Sequence, residues 1–353
     1  MIMNEEKLNE MLGKFVADLG ATMSAGAIVI GESLGLYKAM GEAEIPVTSE
    51  ELAQRTNTDE RYIREWLNSQ AASGYVEYDA DTKRYFLTEE QKFLMTDEKG
   101  MAYLPGAFVL ATAALQAVPK MIERFKSGEG LGWHEHDHNL FRGTELFFRP
   151  GYAANLVNAW IPALDGVKEK LEAGGKVADV GCGLGSSTIL MAEAFPNSTF
   201  VGFDYHDASI EAAREKAKEA GVSDRVTFGI AKAKDYSGGD YDFVTFFDCL
   251  HDMGDPVGAA THVKQSLADD GTWMIVEPFA NDNAEDNHNP VGRIYYSAST
   301  LICTPASRSQ EVGMALGAQA GESKIREVVT TGGFSQFRRA TETPFNLIYE
   351  AKP

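Results

Sequence analysis

The sequence predicts an α/β fold: a doubly wound, mostly parallel sheet with an antiparallel carboxy-terminal hairpin, preceded by a mainly helical winged-helix domain. Three observations predict it. From Lys176 onward, short apolar runs at 177–180, 199–203, 226–230, 243–247 and 273–276 alternate with amphipathic helical stretches, the pattern of parallel strands with helices on both faces. The last two runs, 337–340 and 345–351, follow each other too closely for a helical crossover and must pair antiparallel. Ahead of them, residues 48–87 read as two helices and a hairpin.

The amino-terminal elements follow from local signals. Between Asn4 and Met40 apolar residues recur at helical spacing, and Gly20 divides them into two predicted helices. Thr48 and Glu51 form a capping box. Ile63, Trp66, Leu67 and Ala71 then share one face of the helix that follows a short turn. Residues 75–78 and 84–87 alternate like strands across a turn at 79–82, giving the wing. A helix is expected over 101–125, followed by the polar, Gly-containing loop SGEGLGWHEHDHN. These boundaries divide the chain into 1–98, a helical dimerisation and winged-helix domain; 99–172, a connector and lid; and 173–353, the sheet domain.

Composition narrows the partners. With 44% hydrophobic and 24% charged residues the chain is globular, and its net charge of -20 disfavours phosphate backbones and anionic membranes. Over 41–95 twelve Asp and Glu face six Lys and Arg, so the winged helix lacks the positive charge of a DNA reader. Cys182, Cys249 and Cys303 are odd in number and widely spaced, as expected of reduced thiols in the cytoplasm. No basic segment leads into an apolar one at the amino terminus, and no run reaches the length that spans a bilayer. A soluble, cytoplasmic protein with a small-molecule ligand is the expectation.

The ligand is indicated by VADVGCGLGSS. Asp179 and the glycines Gly181, Gly183 and Gly185 fall where the first strand turns into a helix. The spacing is GxGxG, and Ser186 stands where a dinucleotide fingerprint needs its third glycine. Without Cβ atoms the backbone can approach a ligand that carries no phosphate. Asp204, at the end of the second strand, is placed to accept hydrogen bonds from a ribose diol. Cys182 in the loop, Tyr205 beside Asp204, Phe247 at the end of the fourth strand and Asp248 after it complete the expected cofactor contacts.

On these residues, 177–351 resembles a class I S-adenosylmethionine-dependent methyltransferase. With the winged-helix front end, the chain is similar to plant-type small-molecule O-methyltransferases and to a bacterial subfamily carrying FFDCLHDMGDP. The resemblance implies S-adenosylmethionine as cofactor, Asp179 facing its ammonium, and a homodimer clasped through the amino-terminal helices. The family's acid after the third strand is absent: Lys232 stands there and cannot accept from adenine. Asp235, or the backbone of Ala231 and Ala233, is left to read the adenine edge.

On the acceptor side His251 follows the fourth strand, where ligands of open α/β sheets sit. By resemblance it removes the acceptor's proton, oriented by Asp252 or Glu277, although Met253 replaces the family's Trp; the alternative is that it caps the next helix or packs against the cofactor. Arg142, Glu145 and Arg149 share a helix face and are candidates to clamp an acceptor carboxylate, with an ion pair to Glu145 as the alternative. Arg293, Tyr295 and Tyr296, in an insertion at 281–307, are candidates for the pocket wall. The cluster at His134–His138 alternates its ligands in a loop, and no metal is expected. The predicted reaction is methyl transfer to a small acceptor, oxygen ahead of sulfur or nitrogen. A winged-helix metabolite sensor and an inactive cofactor binder are the competing readings.

Overall fold

The computed structural model describes residues 3–353, in two compact units: residues up to 112 with 142–150, and 113–141 with 151–353.

The first unit begins with α1 (Glu5–Ser33), capped by the Asn4 side chain. It runs unbroken through Gly20, so the stretch holds two helices as expected but the break falls after Ser33 and not at Gly20. One helical glycine costs only about 1 kcal/mol, and Ala, Leu and Met around it favour the helix. The chain turns instead at Gly35, whose φ of +66° suits a residue without Cβ. There follow α2 (Leu36–Gly41), α3 (Ser49–Thr56) and α4 (Glu60–Ala72). The Thr48/Glu51 capping box is present in both directions. Strands β1 (Glu77–Asp79) and β2 (Arg84–Phe86) pair antiparallel as the wing, and α5 (Glu89–Met95) follows. Ile28, Leu36, Tyr37, Leu52, Ile63, Trp66 and Leu67 form its core. The Tyr37 hydroxyl donates to Gln70 at 2.6 Å, and the Trp66 indole donates to the Ala27 carbonyl at 2.8 Å.

The outer part of α1 is another matter. Leu12, Phe15, Val16 and Met23 are all exposed. The helix holds an 18-residue window of mean hydropathy 1.3, 17% of it buried, so by length and composition alone it meets the criterion for a membrane span that the residue-by-residue reading found nowhere.

The single helix expected over 101–125 is two, α6 (Pro105–Leu115) and α7 (Val118–Ser127). Pro119 explains the break: it has no N–H to continue the ladder from α6, and it sits instead in the first turn of α7, where a missing N–H costs nothing. Next is α8 (Asn139–Asn155), whose residues 142–150 group with the first unit.

In the second unit α9 (Val167–Ala173) leads into β3 (Lys176–Val180), α10 (Ser186–Ala194), β4 (Thr199–Asp204), α11 (Asp207–Glu219) and β5 (Val226–Ile230). The chain then returns to the middle of the sheet as β6 (Tyr241–Phe247), α12 (Pro256–Ser266) and β7 (Leu267–Pro278). After α13 (Pro290–Ala298), α14 (Thr304–Arg308) and α15 (Gly321–Thr331), the hairpin β8 (Gln336–Glu342) and β9 (Asn346–Lys352) closes it. Strand order is β5-β4-β3-β6-β7-β9-β8. β3 to β7 are parallel, while β9 runs antiparallel to both β7 and β8.

This order fixes where a ligand belongs. The chain leaves β3 toward β4 on one side and returns as β6 on the other, so the connections diverge between β3 and β6. Such a switch point opens a crevice at the carboxyl ends of the strands. β3, β6 and β7 are buried along their middle, with Val244, Phe246, Trp273, Ile275 and Tyr349 packing one face.

Candidate functional site

The glycine loop lies at that switch point. Gly181, Gly183 and Gly185 have φ of +76°, +51° and +80°, a backbone that residues with a Cβ rarely adopt. Close packing adds a second reason at two of them. A Cβ on Gly181 would meet Cys249 Sγ at 2.8 Å, and one on Gly185 would meet Phe228 at 2.8 Å, whereas Gly183 faces open space. The N–H groups of Gly181 and Cys182 both donate to Phe203 O, at 2.8 and 3.0 Å, tying the loop to the end of β4. Cys182 is buried.

Asp179 turns inward. Its Oδ2 accepts the hydroxyls of Ser187 and Thr188 at 2.7 and 2.6 Å, and its Oδ1 accepts Thr245 at 3.0 Å. Burial raises its pKa against those hydrogen bonds. The carboxylate therefore clamps the start of α10 and the middle of β6 to β3. These three hydroxyl partners were not singled out from the sequence, although Ser187 and Thr188 directly follow the motif.

Asp204 ends β4 with Oδ2 on the Gly183 N–H and Oδ1 on the His206 N–H, both at 2.9 Å. Each oxygen keeps capacity for a further donor, and burial raises its pKa. Tyr205 beside it is exposed. At the end of β5 the Ala231 N–H is taken by Asp204 O at 3.0 Å. The Lys232 N–H donates to Asp235 Oδ1 at 2.9 Å, so Asp235 closes the turn there. Lys232 is exposed and Ala233 half-buried.

Beyond β6, Phe247 is buried with its ring 5.0 Å from Tyr152. Asp248 has φ +50° and accepts the Tyr152 hydroxyl at 2.8 Å and the Asn346 amide at 2.9 Å. Burial, with Glu277 adding to it, pushes its pKa up to about 8. Neither Tyr152 nor Asn346 carries a motif, so sequence reasoning missed both.

His251 is buried at 4% exposure. Its Nδ1 lies 2.7 Å from Glu277 Oε2, and Glu277 Oε1 accepts the Leu250 N–H at 3.0 Å. Glu277, not Asp252, orients the ring. Asp252 accepts the Trp133 indole at 2.9 Å instead, and burial pushes its pKa up to about 6. Burial opposes charge on His251, yet Glu277 and Cys303 together lift its pKa well above the ordinary imidazole value. Cys303 closes a π-helical turn over 299–303, a local irregularity frequent at functional sites.

Arg142 pairs with Glu32, its Nη1 lying 3.2 Å from Glu32 Oε2, and Arg149 donates to Lys99 O at 2.7 Å; with Glu145 they group in the first unit. Tyr295 is buried and donates to Phe345 O at 2.8 Å. Arg293 is exposed on α13, and Tyr296 lines a cavity with Ser299, Thr300 and Gln319. In the histidine cluster His134 and His138 are exposed, while the ring nitrogens of His136 are buried without partners. Among the described residues no three His, Cys, Asp or Glu side chains converge as metal ligands.

Comparison with known proteins agrees with both halves. Residues 171–321 match the family described as methyltransferase domain, and residues 22–97 match the Rv2258c-like winged HTH domain. Over 161 residues the chain is 38% identical to the 27-O-demethylrifamycin SV methyltransferase of Amycolatopsis mediterranei, covering 45% of this chain and about half, 47%, of that protein. Among solved structures, human N-acetylserotonin methyltransferase in complex with SAM superposes with a TM-score of 0.74 at 13% identity, covering 100% of this chain and 99% of that one. The mitomycin 7-O-methyltransferase MmcR gives 0.70 at 18% identity, covering 99% and 100%. These structures share the fold. The chain thus joins a region similar to the Rv2258c-like winged HTH domain, 22–97, to one similar to the methyltransferase domain, 171–321.

Proposed function

We propose that the chain transfers the methyl group of S-adenosylmethionine to a small-molecule acceptor, with oxygen preferred as the nucleophile and His251 as general base. The residues present fit the cofactor: three glycines whose backbone admits close approach, and a carboxylate at Asp204 with free acceptor capacity. Human N-acetylserotonin methyltransferase, solved with SAM, and PigF, solved with SAH, have the same fold, which supports the choice. When bound, the cofactor supplies a methyl group on a sulfonium, already activated for displacement.

The chain's own residues do the rest. The glycine loop would hold the amino-acid end, and Asp204 would accept from the ribose hydroxyls. Asp179 acts from behind, keeping α10 and β6 in register with the loop. His251 takes the acceptor's proton on Nε2, since Nδ1 is committed to Glu277. Alignment and exclusion of water supply most of the acceleration. The observation that carries this reading is the buried His251/Glu277 pair at the carboxyl edge beside the glycine loop. A thioether acceptor would need no base, which favours a hydroxyl. Turnover of labelled cofactor against a panel of hydroxylated, amino and thiol acceptors tests it, with His251→Gln as the comparison.

An anionic acceptor is not favoured: Arg142 is already paired with Glu32, and Arg149 donates to a backbone carbonyl. The exposed apolar residues of α1 support a homodimer formed through that helix. The three free cysteines support a reducing, cytoplasmic setting.

A further inference from the structure

Resting on the assignment of the glycine loop to S-adenosylmethionine, we infer that Asp248 distinguishes the cofactor's cationic sulfonium from the neutral thioether left after transfer. The strand register brings Asp248 to the glycine loop. Asp179 of β3 stands level with Thr245 of β6, so Gly181, two residues on, is level with Phe247, and Asp248 and Cys249 come next. The close approach of Cys249 Sγ to Gly181 puts this turn directly against the loop. The cofactor's sulfur is bonded both to the methionine chain, which the loop holds, and to the ribose, which Asp204 holds. So held, it would fall at the stretch of sheet edge where Asp248 stands.

Three elements converge on this one residue, two of them on its side chain. Tyr152 of α8 and Asn346 of β9 each donate to one of its oxygens, and its own N–H donates to Val276 O of β7 at 2.8 Å. The left-handed backbone at Asp248 is the conformation that such convergence is needed to hold. Each oxygen retains a lone pair beyond these bonds. The titratable groups around it are Tyr152 on α8, Cys249 and His251 in the same turn, Glu277 on β7 and Tyr295 on α13. Among the described residues no lysine or arginine pairs with it.

A carboxyl buried without a cation holds its proton. With its pKa near 8, Asp248 is mostly neutral at pH 7 before the cofactor enters. A sulfonium beside it restores the charged form, and the proton leaves to solvent. No covalent bond of the protein changes. Once the methyl has gone the sulfur is neutral, the carboxylate has lost its counter-charge, and it takes a proton back. Product then binds less tightly than cofactor.

Calorimetry on the full chain tests this. S-Adenosylmethionine and S-adenosylhomocysteine are titrated at pH 7 in two buffers of different ionisation enthalpy. The wild type binds the sulfonium form at least about tenfold tighter and releases about one more proton with it. In Asp248→Asn the two ligands bind within about threefold of each other, and the extra proton release disappears. Asparagine tolerates positive φ, its oxygen still accepts from Tyr152, and a flip of the Asn346 amide lets its nitrogen donate there, so the variant should keep its fold. Retained S-adenosylhomocysteine affinity verifies that. In the wild type the preference rises with pH and levels off near 8, a readout that needs no variant. A wild type without preference, a flat pH profile, or an Asn variant that keeps the tenfold preference overturns the role of Asp248. Absence of binding by either ligand overturns the cofactor assignment itself.

Discussion

The Nδ1 of His251 lies 2.7 Å from Glu277 Oε2, and the other oxygen of Glu277 accepts the Leu250 N–H. One carboxylate thus fixes both the imidazole and the backbone turn that carries it. In the proposed mechanism Nε2 takes the acceptor's proton, on a ring that the Cys303 thiol also contacts.

His251→Gln should lower turnover by roughly 10² to 10⁴, the range for loss of a general base, while S-adenosylhomocysteine affinity stays within a few-fold of wild type. Steady-state kinetics beside calorimetry reads both. Unchanged turnover rejects the base.

The pH profile follows from the sign of the His251 shift. Glu277 holds the imidazolium form, raising the folded pKa above its ordinary value. A base must be neutral to accept a proton, so kcat rises with pH through that raised pKa, on the alkaline side of the usual imidazole range. Glu277→Gln removes the counter-charge and should move the rising limb to lower pH. A limb that stays in place shows that it reports another group.

The three glycines separate folding from binding. Gly185→Ala strains a left-handed backbone and drives a Cβ into Phe228 and Ala213, so it should destabilise the fold by about 2 kcal/mol or more. Gly183→Ala meets nothing within 4 Å. Its fold cost is the backbone term alone, about 1 kcal/mol, and its main effect should be weaker cofactor binding. Urea unfolding and calorimetry on the two variants give opposite rankings if this is right.

Asp179→Ala leaves three buried hydroxyls without their acceptor. At about 1 kcal/mol or more for each unmet group, the sheet domain should lose roughly 3 kcal/mol in urea unfolding. A loss below about 1 kcal/mol would mean that water replaces the carboxylate.

These residues also show what the sequence made legible. The glycine loop, Asp204, the capping box at Thr48 and the antiparallel hairpin were readable because each is a local pattern with a local cause. His251 was readable as a candidate, because a residue after a parallel strand faces the ligand edge wherever the sheet twists. Its orienter was not. Asp252 and Glu277 were equal on sequence, and only the pairing of β6 with β7 brings Glu277 to the ring. Tyr152 and Asn346 lie 96 and 98 residues from Asp248, and no spacing rule reaches that far. The expected break at Gly20 failed because a single glycine does not outweigh a run of helix formers. The continuous helix over 101–125 failed because Pro119 was given too little weight.

The central claim is that the loop from Val177 to Ser186, with Asp204, holds S-adenosylmethionine. Calorimetric titration of S-adenosylhomocysteine into the wild type and Asp204→Ala tests it most directly. The account predicts a wild-type Kd of about 100 μM or tighter and a loss of at least about tenfold in the variant, the scale of a charge-assisted hydrogen-bond pair. No heat of binding to the wild type, or equal affinity in both proteins, would contradict it.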